Sequence, residues 1–189
     1  MRVPRLLKML STSALFVALM LACFAAPANA AEAGAPTHAF PDVEPSDYFF
    51  DAVESLSAEG ILSGYEDGTY RPNQPVTREQ AAKIISLALG LDIENVEDPA
   101  FSDVKDSDYF YAYIAALAGR SILEGQADGS FRPKDNLTRA QMAKILSKAY
   151  DLGEERLGDE VFKDVKDGDW FSVYLPALIA NGITLGRTA

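Results

Sequence analysis

The apolar positions of the chain fall into short stripes with a helical period, separated by turn signals. Phe110, Ile114 and Leu117 follow one another at spacings of four and three, as on one face of a helix. Asp128-Gly129 then marks a turn. A second helical stripe follows it, at Met142, Ile145, Leu146 and Ala149. The pattern predicts a helix, a structured loop and a second helix.

The same pattern returns at an offset of 61 residues. The opening motif occurs three times, at Phe40, Asp42 and Val43, at Phe101, Asp103 and Val104, and at Phe162, Asp164 and Val165. Close to half of the positions in 40–91 are identical in 101–152, so repetition governs the fold. We therefore divide the chain into unit 1 (40–100), unit 2 (101–161) and unit 3 (162–189). Unit 3 matches only the first half of the others. We expect the units to pack on each other, because neither helix is apolar enough to be stable alone.

Polar residues and glycines predict where these helices begin and end. Thr77 with Gln80, and Thr138 with Gln141, have the spacing of a capping box at the start of each second helix. Glycine suits the left-handed residue after the first helix of units 1 and 3. Ser121 replaces that glycine in unit 2, which predicts a weaker C-terminal cap.

Two features of the loops and of unit 3 concern proline. Pro133 predicts an extended Arg132, and we expect both Arg132 and its equivalent Arg71 to form ion pairs that hold their loops. Pro176 would cost about 3 kcal/mol inside a helix, so the first helix of unit 3 is expected to start late or to kink. Without a second helix, unit 3 is expected to expose part of its apolar stripe, Leu175, Leu178 and Ile179. Self-association through this incomplete unit would cover the stripe.

The first 30 residues have the features of a signal peptide. Arg2, Arg5 and Lys8 precede an apolar run, and Ala28-Asn29-Ala30 is a small-x-small cleavage site. The run is too short and too rich in alanine for a membrane span, so no transmembrane segment is expected after cleavage. A retained anchor helix and a lipoprotein modified at Cys23 are the alternatives, both with a poorer fit. Residues 31–39, with the only histidine, are predicted to be a flexible leader.

Charge and composition exclude several classes of function. The net charge is −11, which repels nucleic acid and anionic membranes, so an anionic partner requires a local pocket. Asp103, Asp106 and Asp108 do not have the spacing of a calcium loop, and we expect them to cap a helix. No Ser-His-Asp set, metal cluster or phosphate loop is present in the sequence. We therefore predict no catalytic residue, no metal and no cofactor.

The order Phe-x-Asp-Val, aromatic, Leu, Gly-Ile, Gly, Asp-Gly, Arg-Pro, Thr-Arg resembles the S-layer homology family over residues 40–189. The resemblance implies an all-α fold in which three units form a pseudo-threefold bundle. It also implies a secreted protein at the cell wall or S-layer surface. Such proteins bind secondary cell wall polymers non-covalently, often through pyruvylated amino sugars.

The resemblance also implies the ligand-binding residues. The family's Thr-Arg-Ala-Glu motif occurs here at Thr77-Arg78 and Thr138-Arg139, with glutamine in place of the glutamate and no third copy. The family's usual tryptophan in the first helix is found only as Trp170, with tyrosine in the other units. The implied ligand-binding set is therefore Thr77, Arg78, Thr138, Arg139, Tyr48, Tyr109 and Trp170.

The chemistry of these residues is consistent with an acidic sugar. An arginine in the first turn of a helix opposes the helix dipole by about 0.3–1 kcal/mol, which favours an anionic counterpart. The free N–H groups of that turn also attract anions, and a guanidinium binds a carboxylate with two hydrogen bonds. Aromatic rings could stack on the sugar. Alternatively, each arginine pairs with an internal carboxylate, such as Asp42, Asp103 or Asp164. Lys83 and Lys144 also recur, and a solvated helix face explains them equally well.

Three functions compete at this point. The leading one is a non-enzymatic binding module that anchors a protein to cell wall polysaccharide. The second is an enzyme that acts on envelope polysaccharide, or the anchor portion of a larger enzyme of that kind. The third is a structural role in an outer envelope, in which the domain binds a polymer linked to peptidoglycan.

Overall fold

The computed structural model describes residues 38–155, 162–166 and 168–184, and within these ranges it is all-α. Its helices are α1 (Phe50–Ala58), α2 (Arg78–Ala88), α3 (Tyr111–Gly119), α4 (Arg139–Ala149) and α5 (Leu175–Ala180), with a 3-10 turn at Ser172–Tyr174. In the same ranges, the β pairing consists of one isolated bridge between Thr77 and Asn136. The all-α prediction is confirmed. The predicted signal peptide, Cys23, most of the leader and residues 185–189 lie outside the described residues.

The helix ends follow the predicted caps. Both capping boxes are present, because the threonine oxygen accepts from the backbone N–H three residues later and the glutamine side chain accepts in return. Gly60, Ser121 and Gly182 have φ angles of 73°, 55° and 69°, so each first helix is followed by a left-handed residue. A serine there is more strained than a glycine, which agrees with the weaker cap expected at Ser121.

The aspartates before the first helices do not cap them, which corrects the expectation for unit 2. Helix α3 begins after Phe110, and no side chain caps its first turn. Asp108 instead accepts from the backbone N–H of Lys105 at 2.8 Å and closes the preceding turn. The turns before α1 and α5 are closed in the same way, by Asp47 and Asp169.

Asp42 and Asp103 hold the loops between the helices of units 1 and 2. The two carboxylate oxygens of Asp103 accept from the consecutive N–H groups of Phe131 and Arg132, at 2.6 and 2.8 Å. Asp42 binds Tyr70 and Arg71 in the same way. Because both N–H groups must face one carboxylate, Arg132 takes a φ angle of 59°. The extended conformation predicted for Arg132 is therefore wrong.

The largest core joins the second helix of unit 1 to unit 2. Phe131, Leu117, Ile114 and Ala82 have almost no solvent exposure and pack together between α2, α3 and α4. Phe131 stacks on Phe101, whose ring lies so close to Gly125 that an added Cβ would come within 2.6 Å of it. Unit 2 thus completes a core that unit 1 cannot close alone.

Unit 3 packs on α4 through its single helix. The 3-10 turn precedes α5, which places Pro176 in the first helical turn, so the late start expected from the proline is confirmed. Leu175 and Leu178 are buried against Ala143, and only Ile179 of the predicted exposed stripe is half-buried. The predicted exposure of these leucines is wrong, because α4 covers them. Self-association through unit 3 stays a prediction.

Two further predictions concern the whole chain. The pseudo-threefold arrangement of units stays a prediction, as do the unit boundaries. Within the described part of the chain, every helix is too short or too polar to cross a bilayer.

Candidate functional site

Arg78 lies at the junction between units 1 and 2, where the capping box of Thr77 starts helix α2. Its guanidinium donates to the carbonyl oxygens of Phe131, at 2.8 Å, and Glu124, at 2.9 Å. It also lies over the ring of Phe131, with 4.4 Å between the guanidinium carbon and the ring centroid. Only 6% of the residue surface is exposed, and this burial lowers the pKa of Arg78. Its hydrogen bonds hold the loop of unit 2.

The first turn of α2 is occupied by the same loop. The N–H of Arg78 donates to the carbonyl of Asp135 at 2.9 Å, and the N–H of Glu79 donates to that of Pro133 at 3.0 Å. Lys134 adds an ion pair to the buried Glu79 carboxylate. The N–H groups that we expected to attract an anion are therefore bound to carbonyls of the neighbouring unit. Within the described residues, the Arg78 guanidinium forms no ion pair with an internal carboxylate, and its hydrogen bonds go to two carbonyl oxygens.

Arg139 occupies the equivalent position in α4 but has different surroundings. Thr138 caps α4 as Thr77 caps α2. The Arg139 side chain is exposed and donates to the hydroxyl of Thr184 at 3.5 Å. Its guanidinium is thus accessible to an external anion, whereas that of Arg78 is enclosed. A ligand-binding role for either arginine stays a prediction.

A groove of about 220 Å³ lies beside α2, between the loop of unit 1 and Phe110 of unit 2. Its lining includes Ser63, Tyr65, Tyr70, Arg71, Gln80 and Lys83. The amide nitrogen of Gln80 donates to the Tyr65 hydroxyl at 3.4 Å, which connects the cap of α2 to the groove wall. Aromatic rings and nitrogen donors surround one cavity, an arrangement typical of sugar recognition.

Lys83 is the cation at this groove that has no carboxylate partner in the described part of the chain. Its Nζ donates to the hydroxyl of Ser63 at 3.1 Å and to that of Tyr109 at 2.9 Å. The Nζ also lies 5.2 Å from the centroid of the Tyr109 ring. Sequence reasoning missed Lys83, although its recurrence as Lys144 was a signal, because a solvated helix face explained that recurrence equally well.

The three predicted stacking aromatics are exposed. Tyr48, Tyr109 and Trp170 each stand edge-on against the phenylalanine that follows them in the chain. Tyr48 is 99% exposed, Tyr109 68% and Trp170 56%. Of these, the structure brings Tyr109 to the groove through its contact with Lys83. A large aromatic side chain exposed to solvent is suited to stacking on a sugar ring.

The loop arginines have the role that we expected. Arg71 pairs with Asp67 at 2.7 Å, and Arg132 pairs with Asp128 at 2.9 Å. Hydrogen bonds from Thr69 and Arg71 lower the pKa of Asp67. Arg71 also lies over the Tyr65 ring, 4.2 Å from its centroid. The prediction of loop-fixing ion pairs is confirmed, and Arg71 additionally lines the groove.

Unit 2 differs from unit 1 at the position of Ser63. Glu124 stands there, and its carboxylate accepts from Lys144 at 2.7 Å and from Lys148 at 2.6 Å. These hydrogen bonds lower the pKa of Glu124 to about 2. Lys144, the equivalent of Lys83, is therefore already paired with a carboxylate.

Among the described residues, no group of three potential metal ligands comes together.

Comparison with known proteins finds a family match and several related chains. The model of the S-layer homology domain matches residues 39–82 and 100–143. An uncharacterized cell wall amidase of Bacillus anthracis is 37% identical over 127 residues, which are 66% of this chain and 24% of the amidase. The surface-layer 125 kDa protein of Lysinibacillus sphaericus is 37% identical over 146 residues, 76% of this chain and 12% of that protein.

A third relative is named for anchoring. The cellulosome-anchoring protein of Acetivibrio thermocellus is 32% identical over 132 residues, which are 67% of this chain and 30% of that protein. The chain thus spans less than a third of the length of each of these three relatives.

Proposed function

Because this chain belongs to the S-layer homology family through residues 39–82 and 100–143, we propose that it is a secreted module that anchors protein to the bacterial cell surface by binding an acidic wall polysaccharide. Relatives named as surface-layer and cellulosome-anchoring proteins support the anchoring role. The finer proposal is that the ligand is a secondary cell wall polymer that carries a pyruvylated amino sugar.

The observation that carries this proposal is the position of Lys83. An ammonium group at a groove, held by two hydroxyls and without a carboxylate partner in the described ranges, offers a charge-assisted hydrogen bond to an incoming carboxylate. Tyr109 beside it offers a face for the sugar ring. A net charge of −11 repels a polyanion at long range, so binding requires such a local site.

Co-sedimentation with isolated cell wall sacculi tests this proposal. The purified chain is expected to sediment with native sacculi and to stay in solution when the accessory polymer has been removed chemically. Lys83→Met should weaken sedimentation about tenfold or more, because a hydrogen bond to a charged group is lost. Lys105→Met is the matched control, since Lys105 is exposed and lies outside the groove lining.

The results would separate the alternatives. Equal binding to stripped and native sacculi would overturn an accessory polymer as the ligand and favour direct contact with peptidoglycan. Equal weakening by Lys83→Met and Lys105→Met would overturn the groove as the site. Arg139→Met tests the exposed member of the two motif arginines in the same assay, with loss of binding expected only if Arg139 contacts the polymer.

The second candidate function is the anchor portion of a larger secreted enzyme that acts on envelope polysaccharide. The similarity to a cell wall amidase, of which this chain spans 24%, favours it. We propose that the chain itself is not catalytic. Incubation with sacculi should then release no soluble sugar or peptide above the level of a boiled sample, and measurable release would overturn this proposal.

A further inference from the structure

We propose that the residue at the position of Ser63 and Glu124 decides whether a unit can bind an anionic sugar, and that Glu124 closes unit 2 to this ligand. The inference rests on the proposed function, because it concerns the same ligand. It predicts that the two complete units, which share the motif and the lysine, are unequal binders.

The two units present the same groups in the same order along the chain. Lys83 of α2 corresponds to Lys144 of α4, and Tyr109 corresponds to Trp170, each at the offset of 61 residues. In unit 1 the third member is Ser63, a neutral hydroxyl that accepts from the lysine. In unit 2 the third member is Glu124, a carboxylate. Among these three positions the charge differs only at the third, while unit 2 also has Lys148 where unit 1 has Leu87.

Glu124 occupies the cations that an incoming carboxylate would need. It accepts from Lys144 and Lys148 through different oxygens, so one internal carboxylate pairs with both lysines. Both lysine side chains are about three-quarters buried, with 27% and 25% exposed. A ligand carboxylate at Lys144 would have to displace Glu124 or remain next to its negative charge. Like charges at that distance repel each other, which disfavours the bound state.

The contact of Glu124 with unit 1 does not use its carboxylate. The group of this residue that joins units 1 and 2 is its backbone carbonyl, which accepts from Arg78. The side chain is about half exposed, and ion pairs of that kind contribute little to stability. The carboxylate can therefore be removed without breaking the junction, and position 63 can receive one because Ser63 is exposed.

Calorimetric titration with a defined probe tests this inference. The probe is the methyl glycoside of an amino sugar that bears a pyruvyl ketal, and its uncharged pyruvyl methyl ester is the control ligand. The native chain is expected to bind one equivalent of the acid, and Glu124→Ser is expected to bind two. Ser63→Glu should weaken binding at unit 1 about tenfold or more, because the lysine gains an internal partner. The ester is expected to show no measurable binding to the native chain, to Glu124→Ser or to Ser63→Glu.

Glu124→Gln provides a second variant of nearly unchanged size, and a thermal melt of each variant checks that it is folded. Trp170 is the only tryptophan of the chain, and the repeat offset makes it the equivalent of Tyr109, so its emission is expected to report on ligand at Lys144. The probe should change this emission in the two Glu124 variants and leave it unchanged in the native chain.

The outcomes distinguish the two proposals. A native chain that binds two equivalents, or Glu124 variants that still bind one, would overturn the closing role of Glu124 and leave the proposed function intact. Ser63→Glu with native affinity would do the same. Failure of the native chain and of both Glu124 variants to bind the acid would overturn the acidic-sugar function, and this inference with it.

Discussion

The junction between units 1 and 2 and the junction between units 2 and 3 share their helix contacts but differ at the start of the second helix. Ser86 of α2 donates to the carbonyl of Tyr113 at 3.0 Å, and Ser147 of α4 donates to that of Tyr174 at 3.2 Å. At the first junction, a loop of the next unit also encloses Arg78. At the second, Arg139 is exposed. The same motif thus has different surroundings at the two junctions, and the positions equivalent to Phe131 and Arg132 of that loop are not among the described residues of unit 3.

The difference also divides the functional groups. Arg78 is committed to the junction, and the groove beside it relies on Lys83 for an available cation. In unit 2 the situation is reversed, because Arg139 is accessible and Lys144 is paired with Glu124. A motif shared by two repeats thus does not predict two equal sites.

The largest expected effect is that of replacing Arg78 by methionine, and the same replacement at Arg139 is the comparison. Arg78→Met should lower the free energy of unfolding by about 3 kcal/mol, because one buried and one partly buried carbonyl lose a charged donor. Arg139→Met should change it by less than about 0.5 kcal/mol, as is usual for an exposed side chain. Unfolding in urea measures both. Equal losses would mean that the second arginine is enclosed in solution, and the contrast between the junctions would fail.

An intermediate effect is expected from the two serines that the junctions share. Ser86→Ala and Ser147→Ala should each lower the free energy of unfolding by about 1 kcal/mol, because each removes one buried neutral hydrogen bond. Urea unfolding at constant pH is again the measurement. The two losses should agree within experimental error. A much smaller loss at Ser147 would show that unit 3 packs more loosely on α4 than unit 1 packs on unit 2.

The smallest expected effect concerns acid stability. The pKa of Glu124 is lowered from about 4.5 to about 2 by its two lysines, so the folded state favours the ionised form. The stability that this group contributes is complete above its unfolded pKa and is lost as the pH falls from about 4.5 toward 2. Because the carboxylate is about half exposed, we expect less than about 1 kcal/mol.

The control for this prediction is Glu124→Gln. The difference in unfolding free energy between native and variant chains should shrink as the pH falls through this window, while the carboxylates that are common to both cancel. A difference that stays constant from pH 6 to pH 2 would contradict the ion pair.

Much of the architecture could be predicted because it depends on local signals. The capping boxes of α2 and α4, the left-handed residue at Ser121 and the late start of α5 at Pro176 each follow from a few neighbouring residues. The loop ion pairs at Arg71 and Arg132 are also local, since each joins residues four apart in the chain. The geometry of each of these features is determined by residues within about one turn of the backbone.

The errors arose where distant residues override a local preference. Pro133 predicted an extended Arg132. However, the carboxylate of Asp103, which is 29 residues away, accepts hydrogen bonds from two consecutive N–H groups at this position. The buried state of Leu175 and Leu178 depends on α4, which no pattern within unit 3 reveals. Lys83 was missed for the same reason, since Ser63 and Tyr109 lie 20 and 26 residues from it along the chain.

The sequence by itself determined the repeat, the helices and their caps, because these depend on short-range periodicity and hydrogen bonding. Only the tertiary structure decided which arginine is enclosed and which lysine is available. Those outcomes depend on long-range contacts with the following unit, and burial and charge pairing between units are set by where the folded chain places them.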